Sequence, residues 1–207
     1  MHIHIKTTPE EVLRAKKWWN DLEVQWKFAY NETCFGVGPT MEPPHDDKLM
    51  MMLLGADTFR FAGPGAHNPN MSTRLTNLSG LVPLYRMTYL SITNMAITSL
   101  WELRNHTNLE HLFVYENQLT SLKGIEGMKN LESLYFHHNH IPDLKPLKGL
   151  KKLKTVYASN NKLKNFDGLQ EHHADTIDMF YGLPNGDIRD RDVIKFQNSI
   201  GLIVRTG

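Results

Sequence analysis

Residues 109–130 read LEHLFVYENQLTSLKGIEGMKN, residues 131–152 read LESLYFHHNHIPDLKPLKGLKK, and residues 153–169 read LKTVYASNNKLKNFDGL. Each stretch follows the pattern L-x-x-L-x-L-x-x-N-x-L-x-x-L-x-x-L, with other apolar residues replacing some of the leucines. The pattern returns every 22 residues. A segment this short cannot bury its apolar residues alone, so copies must stack on one another. The sequence therefore predicts a solenoid built from repeated units.

Each unit begins with a short strand, L-x-x-L-x-L, whose spaced leucines point inward while the residues between them face solvent. Stacked units place these strands side by side in a curved parallel sheet on the concave face. The return segments are short, which favours turns and 3₁₀ segments on the convex face. Asn117, Asn139 and Asn161 follow the strands where the chain turns inward, and their amides can pair buried backbone groups.

This pattern resembles the leucine-rich-repeat family, in its 22-residue class. The resemblance implies an α/β solenoid that binds partners on its concave face, with the three asparagines forming an asparagine ladder. The ends of the chain resemble those of a group of bacterial leucine-rich-repeat proteins without an assigned activity. The segments that carry this second resemblance are Trp18-Trp19, Arg60-Phe61-Ala62-Gly63-Pro64, Pro69-Asn70-Met71 and Tyr181-Gly182-Leu183-Pro184-Asn185.

We expect one continuous structural domain with an N-terminal helical cap at 1–56, about five repeats at 57–176 and a C-terminal cap at 177–207. Thr8, Pro9 and Glu11 are typical of a helix start. An apolar stripe through Trp19 and Trp26 predicts one amphipathic helix of roughly twenty residues. This stripe is interpreted as a lid over the first repeat, and a groove for a partner is the alternative.

A second short helix is expected from Asp46 to about Gly55. Within it, Met50, Met51 and Met52 are either core residues between cap and repeats or an adaptable binding surface.

Composition narrows the classes of function. There are 23 basic and 22 acidic residues, so the overall charge favours neither nucleic acid nor membrane as partner. Cys34 is the only cysteine, which rules out an intrachain disulfide. We find no signal peptide and no segment long enough to span a membrane, and so expect a cytoplasmic protein, with leaderless secretion left open. A monomer without cofactor is expected.

Solvent-facing positions on successive strands form three columns across the concave sheet. The first is Arg60, Ser91, Phe113, Tyr135 and Tyr157; the second is Ala62, Thr93, Tyr115, His137 and Ser159; the third is Gly63, Asn94, Glu116, His138 and Asn160. The fold does not require aromatic residues here, and aromatic residues are enriched at protein interfaces. The predicted partner site comprises Phe113, Tyr115, Tyr135, His137, Tyr157, Arg60, Glu116 and His138, possible extensions being Phe180 or Tyr181. Cross-strand stacking that only stabilises the sheet is the alternative.

Two weaker patterns were weighed against this site. His137, His138 and His140 resemble a metal tract, but no Cys or carboxylate spacing completes a tetrahedral set, so no metal is predicted. Seven lysines lie between 145 and 164 without an acid, which could bind nucleic acid or anionic lipid. Only Lys154 among them is expected to face the concave sheet.

The sequence contains no G-x-S-x-G, Walker or H-E-x-x-H motif. We therefore predict a non-enzymatic protein–protein interaction module that binds a protein or peptide on the concave face. Polyanion binding through the lysine-rich third repeat is the alternative.

Overall fold

The computed structural model describes residues 8–63, 65–69 and 71–207. In this part of the chain the strands form one parallel sheet, in chain order. The strands are β1 (Thr58–Arg60), β2 (Tyr89–Ser91), β3 (His111–Phe113), β4 (Ser133–Tyr135), β5 (Thr155–Tyr157), β6 (Met179–Leu183) and β7 (Val204–Thr206). Leu112 pairs with Leu134, and Leu134 with Val156, so one repeat adds one strand. The predicted α/β solenoid is confirmed.

The core runs through the inside of the solenoid. The six apolar positions of the pattern are buried in all three regular copies. A further buried position, on the convex return, was not in the predicted pattern; it is occupied by Leu84, His106, Met128, Leu150 and His173. The return segments contain 3₁₀ turns at Ser79–Leu81, Trp101–Leu103 and Lys145–Leu147, which confirms the predicted convex side.

The asparagine ladder connects neighbouring repeats. Asn139 Nδ2 donates to Val114 O at 3.0 Å and to Phe136 O at 2.9 Å, while its Oδ1 accepts from Leu119 N at 2.9 Å. Asn117 and Asn161 make the equivalent bonds to the repeats that precede them. The ladder continues to Asn185, whose Nδ2 donates to Ala158 O at 3.1 Å.

The N-terminal cap consists of two helices at the position where one was expected. Helix α1 (Pro9–Asp21) begins with the predicted Thr8–Glu11 capping box, and α2 (Val24–Tyr30) follows it. The single helix of about twenty residues was wrong because the backbone is extended at Leu22. The carboxylate of Glu23, beside this break, accepts hydrogen bonds from Asn77 and Ser79 of the first repeat. The break therefore tethers the cap to the solenoid and redirects α2.

The tryptophan stripe faces the chain's own first repeat. Trp26 is fully buried, its ring meets Phe61 edge-on at 5.4 Å, and its Nε1 donates to Asn77 Oδ1 at 3.1 Å. The Tyr30 hydroxyl donates to Gly80 O at 3.0 Å. These contacts confirm the lid over the first repeat.

The next cap element is α3 (Asp46–Met50), which continues as a π-helical turn, Met51–Gly55. Met50 and Met52 are buried as core residues, whereas Met51 is 63% exposed. The core interpretation therefore holds for two of the three methionines.

The C-terminal part adds α4 (Glu171–Ala174) and α5 (Asp190–Ile200) around the last two strands. The predicted division at 56 and 176 remains a prediction, and residues 1–7 of the predicted cap lie outside the described residues. None of the described helices is long and apolar enough to cross a lipid bilayer.

Candidate functional site

Four aromatic rings form a continuous column on the concave sheet: Phe113, Tyr135, Tyr157 and Tyr181, called here the aromatic column. Successive ring centroids lie 4.7, 4.4 and 4.0 Å apart, with interplanar angles of 30°, 11° and 21°. The separations match the spacing of the strands, about 4.8 Å. Each ring therefore covers the face of its neighbour and turns its edge toward solvent.

A second, shorter stack runs beside this column. The rings of Tyr115 and His137 lie 4.4 Å apart and nearly parallel, at 12°. Burial, with a smaller contribution from neighbouring His138, lowers the pKa of His137 to about 4. The imidazole is therefore neutral near pH 7, and its buried Nδ1 has no hydrogen-bond partner among the described residues.

Arg60 closes the N-terminal end of the aromatic surface. Its guanidinium carbon lies 4.4 Å from the centre of the Tyr89 ring, in cation–π geometry. Tyr89 in turn lies 5.2 Å from Phe113 and 5.8 Å from His111. One connected line of rings thus runs from Arg60 to Tyr181.

Glu116 and His138 lie where their strands end, and both are exposed. Their φ angles are 53°, in the left-handed region, as are those of Asn94 and Asn160 at the same place in other repeats. Gly63 occupies this place in the first repeat with φ 87°. The backbone here favours glycine or asparagine, so Glu116 and His138 occupy it at a conformational cost.

The rings enclose a shallow groove of about 540 Å³. Its floor and walls come from the Tyr115–His137 stack and from the aromatic column except Tyr181, together with Tyr89, Ser91, Ser159 and Asn160. Burial is the main cause that raises the pKa of Tyr135, and it raises that of Tyr157 to about 12, with Tyr181 adding to the effect. The hydroxyls therefore stay protonated at neutral pH, and each can donate one hydrogen bond and accept others. The groove offers apolar ring edges with polar tips.

The eight residues of the predicted site divide into two groups. Seven take part in the connected ring contacts, with His138 meeting His137 edge-on at 5.5 Å: Arg60, Phe113, Tyr115, Tyr135, His137, His138 and Tyr157. The eighth, Glu116, is exposed where β3 ends and does not line the groove.

Sequence reasoning missed Tyr89 and His111, which begin their strands and face the same side as Phe113. Strand alternation could have found them, because residues on both sides of an inward leucine point outward. Of the two candidate extensions, Tyr181 joins the aromatic column and Phe180 is buried at 1% exposure.

The histidines and lysines give no competing site on this face. Within the described residues, no group of three or more His, Cys, Asp or Glu side chains could hold a metal ion. Lys154, the lysine expected on the concave side, lies with its Nζ 2.7 Å from the Glu132 carboxylate. Its charge is therefore compensated within the chain.

Comparison with known proteins identifies the repeats and the fold. Residues 107–148 and 129–171 match a family model described as leucine-rich repeats in two copies. A search of curated protein sequences found no match.

Among solved structures, internalin C2 of Listeria monocytogenes is 19% identical, with 89% of this chain and 92% of that chain covered and a TM-score of 0.53. A leucine-rich-repeat protein of Leptospira interrogans is 23% identical over 65% of this chain and 36% of its own length, with a TM-score of 0.55. The functional domain of InlJ from Listeria monocytogenes is 18% identical over 85% and 35%, with a TM-score of 0.60. This chain spans about a third of the length of the last two. At these identities the likeness is one of fold.

Proposed function

We propose that this chain, whose residues 107–171 match the leucine-rich-repeat model, is a non-enzymatic interaction module that binds a protein or peptide in the concave aromatic groove. The observation that carries the proposal is the line of half-buried rings from Tyr89 to Tyr181 on a face that the solenoid does not need to make aromatic. Buried leucines and asparagines already account for the fold.

The stacking geometry defines what such a partner contacts. Because the ring faces cover one another, the apolar face of a sugar would find few free aromatic faces on which to stack. The ring edges and hydroxyl tips suit a protein surface that offers apolar side chains beside carbonyl or amide groups. The rings are also held by their neighbours, so little side-chain entropy is lost when a partner binds.

Cross-strand stabilisation is the competing explanation for the same rings, and hydroxyl removal separates the two. Tyr135, Tyr157 and Tyr181 changed together to Phe keep the stack, as Phe113 already does naturally, but lose every hydroxyl in the column. On our proposal this variant keeps its free energy of unfolding and loses affinity for its partner. A purely structural stack predicts unchanged binding.

The experiment is affinity capture with the wild type, the triple Tyr→Phe variant and a triple variant with Phe113, Tyr135 and Tyr157 changed to Ala. Trp101→Ala is the matched control, because Trp101 is 56% exposed on a convex turn. Proteins held by the wild type and by Trp101→Ala but lost from both concave variants support the proposal. Equal capture by all four contradicts it.

The polyanion alternative gains no specific support from the contacts of Lys154. The cytoplasmic location and the monomeric state remain predictions. Both are compatible with the proposed role.

A further inference from the structure

A second groove, of about 560 Å³, lies at the opposite end of the sheet from β7, beside the edge strand β1. Its apolar walls come from the helical cap and from β1 itself: Phe35, Met51, Met52 and Phe59. Met51 is 63% exposed, unlike its neighbours Met50 and Met52. Met52 and Phe59 belong to the core, whereas Phe35 is only partly buried, so core closure does not account for the exposed apolar surface of Phe35 and Met51.

Among the described residues, no strand pairs with the edge of β1 opposite β2. Tyr89 N–H donates to Asp57 O at 3.1 Å and Phe61 N–H donates to Ser91 O at 2.9 Å, so alternate residues of this segment pair with β2. In a parallel ladder the intervening residues point their backbone groups the other way. The N–H and C=O groups of Thr58 and Arg60 therefore face away from β2, and both residues line the groove.

The charge of the groove is one-sided. Lys48 and Arg60 line it together with His67, and none of the described lining residues is acidic. Lys48 lies at the apolar wall, with its Nζ 5.9 Å from the centre of the Phe35 ring. A segment that binds here would gain from acidic side chains placed beside apolar ones.

We propose that this groove takes an extended acidic–apolar peptide segment of a partner protein, which adds as a strand along the free edge of β1. Main-chain hydrogen bonds to Thr58 and Arg60 would supply affinity, and alternate side chains would supply specificity. Apolar side chains would lie against Phe35 and Met51, with the acidic ones toward Lys48. The chain's own residues 1–7 contain Lys6 and two histidines but no acid, so their charge does not match the groove.

The test uses the full chain and a fluorescein-labelled short peptide of alternating valine and glutamate, with binding measured by fluorescence anisotropy. We expect saturable binding that weakens as salt is added. Two further peptides carry N-methyl groups on alternate residues, one on the valines and the other on the glutamates, so that each lacks backbone donors along one edge. One of the two should no longer bind, and the other should bind as the unmethylated peptide does. A peptide in which lysine replaces glutamate should bind about tenfold more weakly or not at all.

Two protein variants probe the groove. Met51→Glu places a carboxylate on the wall of the groove, and this carboxylate would repel the glutamates of the peptide. Binding of the glutamate peptide should therefore weaken at least about tenfold. Lys48→Glu should do the same and should also raise affinity for the lysine peptide. Leu13→Glu is the matched control, because Leu13 is 69% exposed on α1 and does not line the groove. Tyr157→Ala, on the concave face, should leave binding of this peptide unchanged.

Several results would overturn the proposal. Absence of saturable binding, equal binding of both peptides, or equal loss in Leu13→Glu and Met51→Glu would each do so. Concentration-dependent self-association in sedimentation, abolished by Met51→Glu, would assign the edge to a second copy of the chain instead. Tighter peptide binding when Ile3 and Ile5 are changed to Asp would assign it to the chain's own first residues.

Discussion

Replacement of Asn139 by alanine tests whether the asparagine ladder stabilises the solenoid as the contacts indicate. Asn139 is 4% exposed and bridges three successive segments: the strand end at Val114, its own strand at Phe136, and the return at Leu119. The variant removes one acceptor and two donors at once. It leaves the apolar core positions untouched.

The magnitude follows from which groups are left without partners. Val114 O still accepts from Asn117 and Phe136 O still accepts from Asn161, so the two carbonyls each keep one ladder bond. The buried N–H of Leu119 has its acceptor only in Asn139 among the bonds of the described chain. An unpaired buried N–H costs about 1–3 kcal/mol, and the two lost carbonyl bonds add about 1 kcal/mol or less each. We expect a loss of about 3 kcal/mol in the free energy of unfolding.

Urea unfolding followed by far-UV circular dichroism measures this loss from the shift in midpoint at constant slope. Asn130→Ala, at the end of the preceding repeat, is the matched control. Its amide makes only exposed bonds, to Thr107 O and from Lys152 Nζ, so about 0.5 kcal/mol or less should be lost. If Asn139→Ala and Asn130→Ala unfold within about 0.5 kcal/mol of each other, the ladder argument is refuted.

Three further predictions concern single positions. Burial, with the nearby His172 as second cause, lowers the pKa of His173 to about 4, so the folded protein favours the neutral imidazole. The free energy of unfolding should therefore fall as the pH drops from about 6.5 toward 4. This should amount to about 2 kcal/mol at pH 5, and His173→Leu should remove that part of the pH dependence in urea titrations at pH 7.5 and 5. Gly168→Ala should lower the free energy of unfolding by about 3 kcal/mol or more, because φ is +119° and the new Cβ would lie 2.1 Å from the Leu144 backbone oxygen. Gly186→Ala is the control and should not lower it, because no atom lies within 4 Å of the new Cβ. Glu116→Asn should raise the melting temperature, by relief of about 0.5–1 kcal/mol of left-handed strain; a lower melting temperature would contradict this.

The regular repeats were predictable because the buried positions recur at the same spacing. Each copy packs these positions against the equivalent positions of the copies beside it. The same logic fails where a copy is irregular. Ile177, Phe180 and Asn185 keep the spacing of the repeat, but Gly182 replaces its sixth residue and α4 lengthens the copy before it. The break between α1 and α2 depends on tertiary bonds to Glu23, which the local apolar period cannot indicate.

The sequence indicated which strand positions face the concave side, but it did not indicate how the side chains there pack. Strand alternation places Phe113, Tyr135 and Tyr157 on one column, as the register confirms. Whether the rings stack or splay depends on side-chain torsions that no spacing encodes. The low pKa of His137 likewise arises from burial between stacked rings, which sequence does not show.

The two sides of the sheet carry the same 22-residue period for different reasons. On the inner side, Leu112, Leu134 and Val156 repeat because each closes the core of the next unit. On the outer side, the aromatic column spans β3 to β6, while β2 carries buried Ser91 in that column and Tyr89 at its other outward position. A sheet that needed aromatic stacking for its stability would have it along its whole length. The restriction of the aromatic column to β3–β6 therefore supports our proposal that a partner binds at that part of the concave face.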